Sequence, residues 1–337
     1  MKRLSFLLSA LVAAGTLAAP RAAAALDCTV EAPCVVRLAT VAPRGTPWAA
    51  QMDRLRDYFE QQSGGRLDVR SYAGSADGEV SLSRQCKDGA LEGVGVSIGA
   101  IGSLVPELGV FELPFLFDSP EQADTVIDNH LRDDVAQLLR DNGFQLYIFS
   151  ENGFRNFATN NGKAVRTPTD LAGMTMRAQE SWIHESMYQA LGATARAIPV
   201  TEVSTALSTG TVQGFDNTPL YSQAAGWPEF VDTWTVSNHI YQPAVVVWNA
   251  AWFDSLPEDL QQVLLMNQAV ETRRGRADIR ALNPMLIQNF TAFGVTVVTL
   301  TAAERQALAA ATLHIQDEFR RRVPTGARLL DVILANR

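Results

Sequence analysis

The chain has little that covalent or metal chemistry could use. Three cysteines and four scattered histidines in 337 residues show no spacing that suits a zinc site. Beyond the N-terminus no apolar run approaches the roughly 20 residues a membrane-spanning helix needs. There is no internal repeat, low-complexity tract or long linker, so a chain of this length is expected to form two domains that exchange chain segments. Positive charge is also scarce, with a formal net charge of −8, which argues against nucleic acid as a partner.

The first residues, Met1-Lys2-Arg3, precede an apolar stretch from Leu4 to Ala19 and small residues through Ala25. This is the layout of a cleavable secretory leader spanning residues 1–25. Its removal takes away Lys2, Arg3 and Arg21, leaving 25 basic against 36 acidic residues, or −11. Asp27 precedes Cys28 where a lipoprotein signal would have a small residue, so no lipid anchor is expected. Export to an oxidising compartment would let Cys28 and Cys34, either side of Pro33, form a bridge, with Cys86 left alone.

The hydrophobic pattern reads as α/β. A strand over Cys34–Ala42, a helix over Trp48–Gln62 closed by Ser63-Gly64-Gly65, and a strand over Arg66–Tyr72 open the chain. A helix over 79–89, a strand over 91–97, a helix over 120–142 and a buried strand over 144–150 follow. A second α/β unit begins with a strand near Arg155–Thr159 and includes a strand over Met174–Ala178 and a helix over Ser181–Leu191. Tyr241–Trp248 suits a crossover strand returning to the first unit. Leu256-Pro257-Glu258-Asp259 starts what reads as one long helix to about Phe290, before a last strand over 293–300 and a C-terminal helix capped by Thr301 and Glu304.

Arg177 lies in the alternating stretch Gly173 to Ser181. Arginine stays charged and presents a planar fork of donors that matches a carboxylate, so it needs either a protein acid, with Glu180 and Glu202 nearest in sequence, or an anionic ligand. Arg155, with no acid beside it in sequence, reads as a surface strand residue next to the apolar Phe154 and Phe157. Asn217, in the turn-like Phe215-Asp216-Asn217-Thr218-Pro219, reads as bonding its own backbone. Gly95-Val96-Ser97-Ile98-Gly99 matches a nucleophile elbow, which would make a secreted serine hydrolase on Ser97. However, a glycine-broken segment with Pro106 follows it, and no Asp and His pair has a fitting context.

Six pieces, in their order and spacing, carry a resemblance over nearly all of the mature chain: Leu38-Ala39-Thr40, Ser63 to Leu67, Glu112-Leu113-Pro114-Phe115-Leu116-Phe117, Gly153-Phe154-Arg155, Asp170 to Arg177, and Gly210 to Asn217. The chain resembles the solute receptors of tripartite ATP-independent periplasmic (TRAP) transporters, the DctP-type family. That resemblance implies a two-lobed periplasmic-binding-protein clamshell with chain crossovers and a long helix spanning both lobes. Lobe 1 is expected over 26–150 plus 241–280, lobe 2 over 151–240 plus 281–302, and a helical C-terminal segment over 303–337. It implies a periplasmic receptor, not an enzyme and without a cofactor, that captures a small organic acid, carboxylate or sulfonate, and delivers it to TRAP membrane permease subunits; a monomer is the default.

The resemblance also implies the site. Arg177 makes the two-pronged bond to the ligand carboxylate, Arg155 adds a second cation, Asn217 completes the clamp, and Ala42 and Ser97 line the opposite lobe. Glu151 and Gln179 stand beside the arginines, either tuning ligand polarity or pairing with them. Trp48, Trp182, Tyr221 and Tyr241 are candidates for flat apolar walls, as well as for ordinary core. The glycines around Ser97 are expected to let backbone approach a ligand. Besides the hydrolase, an exported adaptor for a lipidic acid is the remaining alternative.

Overall fold

The computed structural model describes residues 25–337, so the expected leader lies almost entirely outside the described residues. Nine strands form one continuous sheet: β1 (Cys34–Thr40), β2 (Leu67–Ala73), β3 (Gly93–Ser97), β4 (Phe144–Thr159), β5 (Thr175–Ala178), β6 (Thr194–Ala197), β7 (Gly214–Asn217), β8 (Thr233–Asn249) and β9 (Thr296–Thr299). Their order is β2-β1-β3-β8-β4-β7-β5-β6, with β9 beside β8. The outer strands of each half run parallel to their neighbours, β1 with β2 and β3, and β5 with β6 and β7, as strand–helix–strand units require. β4 and β8 are antiparallel and long enough to belong to both halves. The molecule is a two-lobed α/β protein whose halves share these two strands.

One strand stands where two were expected, because the run from Phe144 to Thr159 is unbroken. Asn152-Gly153 has the composition of a turn. The chain absorbs it as a bulge between Glu151 and Gly153, with Gly153 at φ +95°, and pairing with β8 resumes at once. The crossover strand expected over Tyr241–Trp248 is likewise the C-terminal half of β8.

Helix Pro47–Gln62 shows how sequence becomes lobe. Thr46 Oγ accepts the Ala49 amide, proline occupies the first turn, and Gly64 and Gly65 close the far end in the left-handed region. Trp48, Met52, Leu55 and Phe59 fall on one face and pack with Tyr147, Val246 and Trp248 of the long strands. The other lobe has its own core of Phe215, Trp227, Trp234 and Phe290. The C-terminal helices Ala302–Thr312, His314–Arg322 and Ala327–Asn336 join a third cluster through Leu308, Phe319 and Leu330, and the capping box of Thr301 and Glu304 forms at the start of the first.

The single long helix expected over 256–290 is instead three. Helix Glu258–Leu265 stops before Asn267, which sits in the left-handed region at φ +64°, and helix Gln268–Arg280 follows. Pro284 then lies in the first turn of helix Asn283–Ala292, where its ring disfavours helix in the residue before it. Apolar periodicity survives these breaks, which is why it reads as one helix.

Cys28 and Cys34 are bridged, tying the N-terminal segment to the start of β1. Closing so short a loop constrains the unfolded chain only modestly. Replacing both with serine should cost about 2 kcal/mol in urea unfolding.

Candidate functional site

A cavity of about 810 Å³, its open mouth included, lies between the lobes. β1 and its following loop contribute Thr40 and Ala42, the start of helix Pro47–Gln62 contributes Trp48, and the N-terminus of helix Glu79–Lys87 contributes Glu79. From the other lobe come Arg155, Arg177, Gln179, Asn217 and Tyr221, and Gln242 reaches in from the crossover of β8. Ends of parallel strands and the loops after them thus converge on one space, as open α/β sheets arrange their ligand sites.

Arg177 and Arg155 are both 1% exposed, yet their situations differ. Arg155 is fully engaged: its Nε donates to Asp216 Oδ2 at 2.6 Å, Nη2 to the Asp216 carbonyl at 2.6 Å, and Nη1 to Gln179 Oε1 at 3.1 Å and Gln242 Oε1 at 3.2 Å. The expectation of a surface strand arginine fails because β7 pairs with β4 and brings Asp216 alongside, 61 residues later in the chain. Arg177 donates only Nε, to the Ile198 carbonyl at 2.9 Å, and its buried Nη1 has no partner. Neither Glu180 nor Glu202 forms an ion pair with it among the described residues. Burial, and then the charge of Arg155, pull its pKa down to about 10, which still leaves it charged at neutral pH.

Behind the arginines lies a closed polar cluster. Asp216 also accepts from the Tyr188 hydroxyl at 2.8 Å and faces His239 at 3.4 Å. Burial opposes its charge, but Arg155 and the imidazoles of His184, 3.6 Å away, and His239 hold its carboxyl well below the usual range. Glu112 meets His184 Nε2 at 2.9 Å and accepts from Gln179 at 3.0 Å and Gln242 at 2.9 Å. Burial resists its ionisation too, and His184 together with Arg155 overcomes that. Burial lowers His239 to about 4, whereas its acidic partners raise His184 against burial. With His184 protonated, Arg155, His184, Asp216 and Glu112 sum to zero; with it neutral they sum to −1. Either way they offer the cavity no net positive charge, and Arg177 is the cation left over.

Ala42, Trp48, Gln179, Asn217 and Tyr221 line the cavity with the two arginines. Trp48 is oriented by its indole N–H, which donates to the Glu151 carbonyl at 3.0 Å. Asn217 Oδ1 accepts the Thr218 amide at 2.7 Å, the local bond its turn suggested, and still faces the cavity. Four candidates stand elsewhere. Trp182 stacks near Phe319 under Arg322, on the side of the C-terminal helices. Glu151 is buried and paired with Arg280, and Tyr241 donates its hydroxyl to that same carboxylate at 2.7 Å. Ser97 lies one layer behind the wall, its Oγ donating to Glu79 Oε2 at 2.8 Å and its amide to Oε1 at 2.9 Å.

Ser97 has a glutamate, not a histidine, as its partner, so the nucleophile elbow is a coincidence of sequence. Gly95 and Gly99 line the cavity, and packing behind it also holds both positions to glycine. A Cβ at Gly99 would sit 2.2 Å from a Glu112 oxygen, and one at Gly95 would meet Trp48 and Met52 at 3.0 Å. Residues that sequence reading passed over carry much of the site: Asp216, Glu112, Tyr188, Gln242 and Glu79. A lone acid in the apolar run Phe111–Phe117 was the available sign that Glu112 is buried and must be answered.

The site is thus a cleft between two lobes with a guanidinium inside it that has no acid partner among the described residues. The family profile of bacterial extracellular solute-binding protein, family 7 (DctP), matches residues 38–322, and the chain belongs to that family. It is 29% identical over 308 residues to the C4-dicarboxylate-binding periplasmic protein DctP of Rhodobacter capsulatus, covering 90% of this chain and 91% of that one. The sugar acid binding protein DctPAm of Advenella mimigardefordensis, solved with galactonate, superposes with a TM-score of 0.85 at 27% identity, covering 90% and 99% of the two chains. A TRAP periplasmic solute-binding protein of Roseobacter denitrificans, solved with β-D-glucuronate, shares the fold at a TM-score of 0.86 and 23% identity over 90% and 100%. The family is one of solute-binding proteins of TRAP transport, not of enzymes, and among the described residues no helix is long and apolar enough to cross a membrane.

Two stability outcomes follow from the unequal arginines. Arg177→Met removes an unpaired buried cation and should raise the stability of the ligand-free protein by about 1–3 kcal/mol in denaturant unfolding. Asp216→Asn strands Arg155 and should lower it by about 3–5 kcal/mol in the same measurement.

Proposed function

We propose that the chain is an exported, monomeric receptor that closes around a single organic acid and hands it to TRAP permease subunits, after cleavage of a leader over residues 1–25. The observation that carries the ligand assignment is Arg177, whose buried Nη1 has no partner among the described residues. A carboxylate or sulfonate would take the open edge of its guanidinium in two parallel hydrogen bonds. Arg155, already neutralised by Asp216, then acts mainly by fixing Gln179, Gln242 and Asn217 around the acid group. Its role becomes that of a frame more than of a second ligand cation. The bound solutes of the relatives, galactonate in one and C4-dicarboxylates in another, support an organic acid as the class.

Residues 26–150 with 241–280 form one lobe in this reading and 151–240 with 281–302 the other, with 303–337 packed outside. The two crossings fall in β4 near the Glu151–Gly153 bulge and in the paired part of β8, where a small change of twist would swing the lobes. A ligand that touches both lobes stabilises the closed form by the contacts the open form lacks. Closure expels water, and the attraction between Arg177 and the acid strengthens as the local dielectric falls.

A thermal-shift and calorimetric screen of organic acids tests this. An acid at 100 times its Kd should stabilise the protein by about 2.7 kcal/mol. Arg177→Gln should weaken binding by about 2–5 kcal/mol. Absence of any binding acid, or binding that survives Arg177→Gln unchanged, would overturn the assignment.

A further inference from the structure

The cleft holds more acid than an anion receptor needs, and that excess bears on which anion enters. Glu79, at the first turn of helix Glu79–Lys87, and Glu180, three residues beyond Arg177, both line the cavity. Glu180 lies where the cavity meets a second hollow lined by Asp77, Arg84 and Glu202, so the approach is itself rich in carboxylates. Among the described residues that line the main cavity, Arg177 is the one cation without an acid partner, because Arg155 is cancelled within the buried cluster of Asp216, Glu112 and His184; Arg84 stands in the outer hollow, beside Glu180.

From this charge balance we infer that the cleft selects monocarboxylates bearing neutral hydrogen-bonding groups, such as hydroxyls, at their far end, and rejects dicarboxylates, with Glu79 and Glu180 as the discriminating residues. The inference rests on Arg177 being the carboxylate anchor. Glu79 is oriented by Ser97, whose amide and hydroxyl each donate to a different oxygen of its carboxylate, leaving lone pairs free for donors from a ligand. A hydroxyl satisfies them; a second carboxylate cannot. Burial, helped by the charge of Glu112 and opposed by the Ser97 hydrogen bonds, raises the Glu79 pKa. A dianion therefore either meets a like charge in a poorly hydrated space or forces a proton onto Glu79, and both cost affinity. The remaining walls are apolar at Trp48, Val80, Val96, Val200 and Leu220 and neutral polar at Thr40, Thr46, Asn152 and Thr218, and they offer no second cation.

Matched acids measured by titration calorimetry at neutral pH test the idea: gluconate against glucarate, and glycerate against tartronate. In each pair that binds, the monoacid should bind about tenfold or more tightly. Glu79→Gln keeps an acceptor for Ser97, and Glu180→Gln alters a half-buried side chain, so at least one should fold as the wild type by thermal unfolding. Each should narrow the gap within a pair by about threefold or more. Dicarboxylates that bind equally or better while still depending on Arg177, or a gap unmoved by both glutamine variants, would overturn the selectivity. Failure of every acid to bind, or binding indifferent to Arg177→Gln, would instead remove the anchor assignment and this inference with it.

Discussion

Two arginines are buried on strands β4 and β5, which flank β7, and among the described residues only one of them is given a counter-ion. Placing Asp216 against Arg155, with Tyr188, His184 and Glu112 completing the cluster, turns what would be two unpaired buried cations into one. An unpaired buried charge costs several kcal/mol, so a fold can keep one only if the remainder of the site is arranged around it. The strand pairings β4–β7 and β5–β7 put these groups within reach of one another, and the glutamines 179 and 242 fill the hydrogen-bonding gaps between them. Arg177 is then left exposed to a cavity rather than to solvent or to an acid.

The same constraint bears on stability, because a buried guanidinium left without a partner among the described residues is carried at a cost. A bulge at Glu151–Gly153 interrupts β4, and the helix Gln268–Arg280 braces this region through Arg280 to Glu151 and Asp124 and Arg276 to Asp128. Three of the residues that looked like ligand contacts, Glu151, Tyr241 and Ser97, instead hold this frame or the wall behind the cavity.

Where sequence reading failed, the cause was contact across long sequence separation. Arg155 seemed free of acids because its partner lies on β7, and Trp182 seemed a cleft residue because its apolar neighbours on the C-terminal helices come more than a hundred residues later. The Asn152-Gly153 pair reads as a turn, but a long antiparallel partner absorbs it as a bulge. The opposite error occurred at 256–290, where apolar periodicity concealed breaks set by Asn267 and Pro284.

What the sequence by itself determined was local: alternation and helical periodicity, caps such as Thr46 and Thr301, the α/β class, and, through ordered motifs spread over most of its length, the receptor family. Only the tertiary structure decided which arginine is free. That choice depends on Asp216, Glu112 and His184 meeting in a space of low dielectric, where pairing fixes charge, and no local pattern in the chain encodes which distant acid will arrive beside which cation.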